Sequence, residues 1–416
     1  MKVLIKQAKI ICATSAHSGT IKDIFIEDGI IKQISTQISQ DAGIIINSPG
    51  LHVSLGWIDI FADFGTPGFE QNETLESGSK VAAAGGFTDV LLIPNTNPTI
   101  SCKAQVDYLL SRNLNINIHP IGSVSKNIEG KELAEIYDMN SGGAVAFSDG
   151  IKSIQNPGLM MKALQYIIPI NSTIIQLPNY DSISPNGVMN EGITSTRIGL
   201  PAKPAIAEEL MIQRDIELLK YTDSKLHITG VSTKKGLEII KIAKKEGLNI
   251  TCSVTPYHIF FCDEDLENYD QNLKLNPPLR SHKDVNALRE GLMDGSIDCI
   301  ASHHLPIHAD DKEKEFEYAK NGMSAMQVVY SVLNNFINDQ NRIVELLTNG
   351  RKIFGIPEPV IEEEKPACLT IFIPNESYIF TDEKNYSLSN NNAFKNIPLK
   401  GIVKGIQNFS YTFINS

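Results

Sequence analysis

The sequence predicts an α/β protein: a (β/α)8 TIM barrel with a small β-sandwich domain built from both chain ends. Three observations carry that expectation. The middle of the chain repeats a strand-then-helix pattern, both ends are strand-like, and no early strand runs into the G-x-G-x-x-G turn of a doubly wound dinucleotide-binding sheet. At 416 residues there is room for a barrel with an appendage.

At the N-terminus, "KVLIKQAKII" alternates apolar and polar residues as a half-buried strand does. "IKDIFIEDGIIKQIS" reads as a hairpin turned at Asp28-Gly29, because Asp-Gly tolerates the positive φ of a tight two-residue turn. The tail, "PACLTIFIP", "SYIFTD" and "KGIVKGIQNFSYTFIN", is again strand-like. Residues 1–53 and 356–416 are therefore expected to form one composite sheet domain around a barrel spanning 54–355.

Within the barrel span, the runs "WIDIF", "TDVLLIP", "INIHPIG", "GAVAFSD", "STIIQLP", "KLHITGVS", "NITCSVTP" and "IDCIASHH" supply eight strands. Helical stretches such as "AIAEELMIQRDIELLKYT" and "HKDVNALREGLMDG" separate them.

A formal net charge of −11 argues against a general nucleic-acid or anionic-membrane binder, since both surfaces repel an acidic protein that lacks a basic patch. The lysines of "TKKGLEIIKIAKKEG" fall at helical spacing and read as a solvated helix face. Six cysteines are scattered with no C-x-x-C pair, which suggests buried thiols in a reducing compartment. No signal-peptide pattern opens the chain, and no apolar run approaches the roughly 20 residues that span a bilayer. The expected location is cytoplasmic.

Barrel chemistry sits where the strands end. Those ends carry Phe61 and Asp63, Asn95, Ser123, Asp149, Gln176, Gly230, His258, and His303 with His304. A binuclear zinc centre needs several imidazoles and carboxylates converging to activate a bridging water. Phe61 and Gly230 cannot ligate, and Gln176 is a poor zinc ligand. The richest cluster, "SHHLPIHADD", leaves open a mononuclear site built from Asp63, Asp149, His303 and His304. Against it, adjacent residues at a strand end point in opposite directions, so only one histidine can face the mouth. Asn95 in "PNTNP" and Asn276 in "NPPLR" are either ligand contacts or turn formers.

Taken together, "ETLESGSKVAAAGGFTDVLLIPNTNP", "GVMNEGITSTRIGLPAKPAIAEE", "HITGVST", "VTPYH" and "LKLNPPLRSHKDVNALREGLMDGSIDCIASHHLP" resemble the dihydroorotases, long bacterial type, of the amidohydrolase superfamily. The resemblance runs from about residue 50 to residue 355. It implies a hydrolase fold acting on cyclic amides, interconverting carbamoyl aspartate and dihydroorotate in pyrimidine synthesis.

The departures from the family pattern are as informative as the match. The family opens with D-x-H-x-H-x-R, whose histidines bind metal and whose arginine holds the substrate carboxylate. Here Asp59 is kept, while those positions hold Phe61, Asp63 and Gly65. By the same alignment the later ligand histidines fall on Gln176 and Gly230, the general base on His303, and a substrate-contact histidine on Ile307. Asp149, His304, Asn95 and Asn276 match family residues, the asparagines as substrate contacts.

Loss of a general base alone typically costs 10²–10⁴-fold in rate. With four metal positions changed as well, the expectation is a metal-free, inactive dihydroorotase-like homologue with no cofactor. By resemblance it would be a homodimer and an assembly partner of aspartate transcarbamoylase. The alternative is an active cyclic-amide hydrolase with one zinc on the atypical ligands named above.

Overall fold

The computed structural model of the chain describes residues 1–415. Strands β1 (Lys2–Ile11), β2 (Ile21–Glu27), β3 (Ile30–Ser35), β4 (Ile44–Asn47) and β5 (His52–Leu55) open the chain. The barrel strands follow: β6 (Trp57–Ala62), β7 (Phe87–Leu92), β8 (Asn117–Gly122), β9 (Ala146–Phe147) and β10 (Ile174–Gln176). After a small two-stranded excursion, β11 (Met189–Asn190) with β12 (Ala202–Lys203), come β13 (Leu226–Ile228), β14 (Ile250–Val254) and β15 (Cys299–Ile300). The chain ends on β16 (Cys368–Ile379), β17 (Pro398–Asn408) and β18 (Tyr411–Ile414).

The eight barrel strands pair in parallel in the order β6-β7-β8-β9-β10-β13-β14-β15, each of the eight runs read from the sequence supplying one strand. Closure falls between β15 and β6. Ala62 bridges His304, Asp63 N donates to His304 O at 2.9 Å, and the Asp59 carboxylate accepts from Ser302 N at 2.7 Å and from the Ser302 hydroxyl. A side chain thus completes a seam that backbone alone leaves open. Burial pushes the Asp59 carboxyl up to about 6, and the Ser302 donors work against that rise.

Inside the barrel Ile58, Ile60, Leu91, Ile121, Ala146, Ile175 and Cys299 form one apolar cluster. The alternate residues of each strand face the helices, as the two-residue period of a strand requires.

Both termini share a second eight-stranded sheet, ordered β18-β17-β16-β5-β1-β2-β3, with β4 also on β1. Its β2–β3 turn carries positive φ at Asp28 (49°) and Gly29 (80°), the geometry that Asp-Gly was expected to supply. A single residue, Gly56, separates β5 in this sheet from β6 in the barrel; a Cβ there would sit 2.2 Å from Thr88 Oγ1. Between the paired residues Ile379 and Pro398 the chain leaves the sheet and lies as a strap over loops at the barrel mouth. All six cysteines are free, five of them buried. Among the described residues no helix is long and apolar enough to cross a membrane.

Candidate functional site

The centre of the mouth is filled by four residues that fit one another. Phe61, near the end of β6, is fully buried, and its ring stacks on that of His303 with centroids 4.2 Å apart and planes 24° apart. His303 holds a left-handed backbone, φ 43°, and its Nε2 lies 2.7 Å from Thr229 Oγ1. Gly230, also left-handed at φ 68°, makes the room: a Cβ there would stand 2.8 Å from His303 Cε1 and 3.3 Å from Leu177 Cδ1. The imidazole at 303 therefore occupies space that any side chain at 230 would need.

From His303 a hydrogen-bonded series runs down the barrel. Thr229 Oγ1 lies 3.0 Å from Ser253 Oγ, which lies 3.0 Å from His227 Nε2, whose Nδ1 is 2.8 Å from Thr251 Oγ1. His258 is likewise engaged, between Thr255 Oγ1 and Pro277 O at 2.8 and 3.1 Å. Burial drives all three imidazoles, His227, His258 and His303, down to about 3, so these are neutral rings inside a dry core.

Gln176 is not at the mouth, contrary to the sequence expectation. Ile175 faces the barrel interior, so its neighbour must face the helices. There Gln176 Nε2 donates to Asp215 Oδ2 at 3.2 Å, and its Oε1 accepts from Ile154 N at 3.2 Å. Asp215 belongs to the helix Ile206–Thr222 and is clasped by Arg214; burial lifts its carboxyl to about 6 against that attraction. Leu177, the neighbour of Gln176, lies against the position of Gly230. Strand alternation, counted from the all-apolar interior positions, was the signal that could have found it.

The other candidate ligands are committed elsewhere. Asp149 Oδ1 accepts from Val124 N and Ser125 N at 3.0 and 2.8 Å, and Oδ2 accepts from the Ser125 hydroxyl, so this carboxylate anchors the loop after β8. Asp63 Oδ1 accepts from Gly65 N at 2.8 Å, closing its own turn, and its carboxyl is raised to about 6 by burial.

His304 points away from His303, as adjacency demands. Its Nε2 lies 3.4 Å from Glu73 Oε2, its Nδ1 lies 3.4 Å from Ser324 Oγ, and its ring meets Phe64 edge-on. Burial works to raise the Glu73 carboxyl, but His304, Ser387 and Ser77 together hold it below the ordinary value. Ser387 and Leu388 of the strap donate to the same carboxylate. Glu73 opens the stretch "ETLESGSKVAAAGG", but nothing in that stretch pairs it with His304 or the strap.

Two further positions lose the contacts expected of them. At Gly65, φ 64°, a Cβ would meet Glu73 O at 2.4 Å and Phe69 O at 2.5 Å, so this backbone admits no arginine. At Ile307 the side chain is apolar and the backbone N donates to Asn391 Oδ1 of the strap at 3.2 Å.

Neither asparagine is a simple turn former. Asn95 ties its loop to the one after β9, donating to Asp149 O at 3.2 Å and accepting from Ile151 N at 3.1 Å. Asn276 Oδ1 accepts from Lys203 Nζ at 2.8 Å, and burial lowers that ammonium to about 8. Asn276 and Lys203 remain half-buried, as do Asn95 and Asp63.

A metal centre of the type the resemblance implies does not fit this donor set. His303 bonds Thr229 and stacks on Phe61, His304 turns to Glu73, and Asp149 and Asp63 cap backbone. Among the described residues no three His, Cys, Asp or Glu side chains are grouped to hold a metal ion.

Residues 51–236 match a family model described as dihydro-orotase-like. A dihydroorotase of Ruminiclostridium cellulolyticum is 37% identical over 410 residues, covering 96% of each chain. One of Elusimicrobium minutum is 36% identical and covers all of this chain and 96% of its own. Among solved structures, an L-hydantoinase (dihydropyrimidinase) from Arthrobacter aurescens superposes with a TM-score of 0.83 at 22% identity, over 99% of this chain and 97% of that one. A D-hydantoinase superposes at 0.84 with 19% identity, over 100% and 96%. At such identities these structures share the fold.

Proposed function

Because the chain belongs to the dihydroorotase family, we propose that it is a catalytically silent, metal-free member of that family. In this reading it works through protein contacts, as a homodimer and assembly partner of aspartate transcarbamoylase. One observation carries the first half of the reading: the interlocked set Phe61, Leu177, Gly230 and His303. By the resemblance Phe61, Gly230 and His303 stand where metal ligands and the base would be, and with Leu177 they pack into one plug. A side chain restored at 230 alone would meet His303 and Leu177. The inaccessible clamp position at Gly65 supports the same reading, since no arginine can be placed there without moving the Glu73 loop.

The partner half rests on the family resemblance and is tested directly. The chain is co-expressed with the aspartate transcarbamoylase of the same genome and the complex is weighed by light scattering; carbamoyl aspartate cyclisation is assayed on the chain alone and on the complex. The expected result is a defined complex in which this chain contributes no turnover. Independent migration of the two proteins would remove the partner role, and cyclisation by the chain alone would remove the silent one.

A further inference from the structure

At the opposite end of the barrel, where the strands begin, the barrel meets the terminal sheet across a cavity of about 490 Å³. That volume is within the range that holds a small organic ligand. Its polar wall is built around Asp89. Oδ1 accepts from Asn117 Nδ2 at 3.2 Å and from His119 Nε2 at 2.9 Å; Oδ2 accepts from Arg351 Nη2 at 2.5 Å and from Thr88 Oγ1 at 2.7 Å.

An ionised carboxylate only accepts, so Asn117 and His119 must both donate to it. That fixes what they leave over: the amide Oδ1 of Asn117 and, in the neutral ring, Nδ1 of His119, both acceptors on half-buried side chains lining the cavity. Arg351 is buried in the same wall, its charge matched by Asp89.

The rim adds an aromatic face. Phe409 is 46% exposed although its backbone is held at φ 50°, a conformation that a bulky residue avoids. It is pinned there by the bond from its N to Ala367 O at 2.7 Å and by Gly29, whose added Cβ would lie 2.6 Å from Phe409 C. Ile356, Pro359 and Val360 complete the apolar side. Strained backbone that presents an exposed ring beside a cavity is where ligand contacts concentrate.

We propose that this cavity binds a flat heteroaromatic ring bearing an exocyclic amino group, as adenine and cytosine do. The amino N–H groups meet Asn117 Oδ1 and His119 Nδ1, and the ring lies against Phe409. An anion is disfavoured, because the Arg351 charge is already matched by Asp89 and Glu358 lines the same cavity.

The test is calorimetric titration of the full-length chain with adenine, with cytosine, and with benzoate as the anionic control, repeated on Phe409→Gly and Asn117→Leu. Glycine accommodates the left-handed backbone at 409, so that variant keeps the fold. Saturable binding of at least one base, one per chain, with none of benzoate and a tenfold or greater loss in each folded variant, is the expected outcome. No saturation by either base, equal binding of benzoate, or wild-type affinity in either variant would overturn it. Should Asn117→Leu fail to fold, Phe409→Gly alone decides.

Discussion

The two ends of this barrel treat their polar groups in opposite ways. At the mouth, where barrel enzymes do chemistry, His303, His258, Asp149, Asp63 and Asn95 are each engaged by a neighbouring side chain or by backbone, and Phe61 fills the centre. At the closed end, Asn117 and His119 keep acceptors on half-buried side chains that line a cavity. A site is marked less by which residues are present than by whether their donors and acceptors are left free. By that measure the residues around Phe61 and His303 have become core, although Ser123 Oγ and His304 Nε2 stay without a hydrogen-bond partner among the described residues, and the wall around Asp89 has the character of a site.

The largest expected effect breaks the closed end. Asp89→Ala leaves the Arg351 guanidinium buried without its carboxylate, and such losses cost about 3–5 kcal/mol, read by urea unfolding. The Asp89 carboxyl is held near 2: burial works to raise it, and the bonds and charges of His119 and Arg351 outweigh that. Because its folded value lies below the unfolded one, its stabilisation is present above about pH 4 and is lost as pH falls toward 2. The variant should lack this acid-side decline.

Next in size is Gly230→Ala at the mouth. The added carbon collides with His303 Cε1 and must sit in a left-handed backbone, together about 2–4 kcal/mol. In a His303→Ala background the penalty should shrink by about 1 kcal/mol or more, since the two positions share one volume. An equal penalty in both backgrounds would mean that the plug is not interlocked.

An effect of similar size sharpens the electrostatic side of the comparison. His303 titrates near 3 when folded and near 6.5 when unfolded, so the unfolded state binds the extra proton between those values. Its contribution is intact above pH 6.5 and is lost as pH falls through that window. His303→Gln should flatten the decline of unfolding free energy between pH 6.5 and 4 by about 3 kcal/mol relative to wild type. The raised carboxyls of Asp59, Asp63 and Asp215 push in the opposite direction but cancel in that difference. The smallest expected change is Phe409→Gly, which should alter stability by less than about 0.5 kcal/mol, because the exposed ring supports no core.

Much of this architecture was legible in the sequence because it rests on local periodicity. The eight apolar runs gave the barrel strands, and Asp28-Gly29 gave its hairpin. What was not legible depends on register and on distance along the chain. Gln176 and Leu177 differ by one residue and therefore by a face of the barrel, which an alignment of short motifs does not resolve. Glu73 takes its place from strap residues Ser387 and Leu388, more than 300 positions away, so nothing around residue 73 signals its role. The accommodation of Gly230 to His303 is a contact between two strand ends, readable as two separate losses in sequence and as one packed unit only in three dimensions.

The most direct test of the silent-site reading is zinc stoichiometry by mass spectrometry on the full-length chain, purified without chelators and dialysed against zinc, with carbamoyl aspartate cyclisation followed on the same sample. We expect zinc far below one equivalent per chain and no cyclisation above the uncatalysed rate. Stoichiometric zinc together with turnover would contradict it.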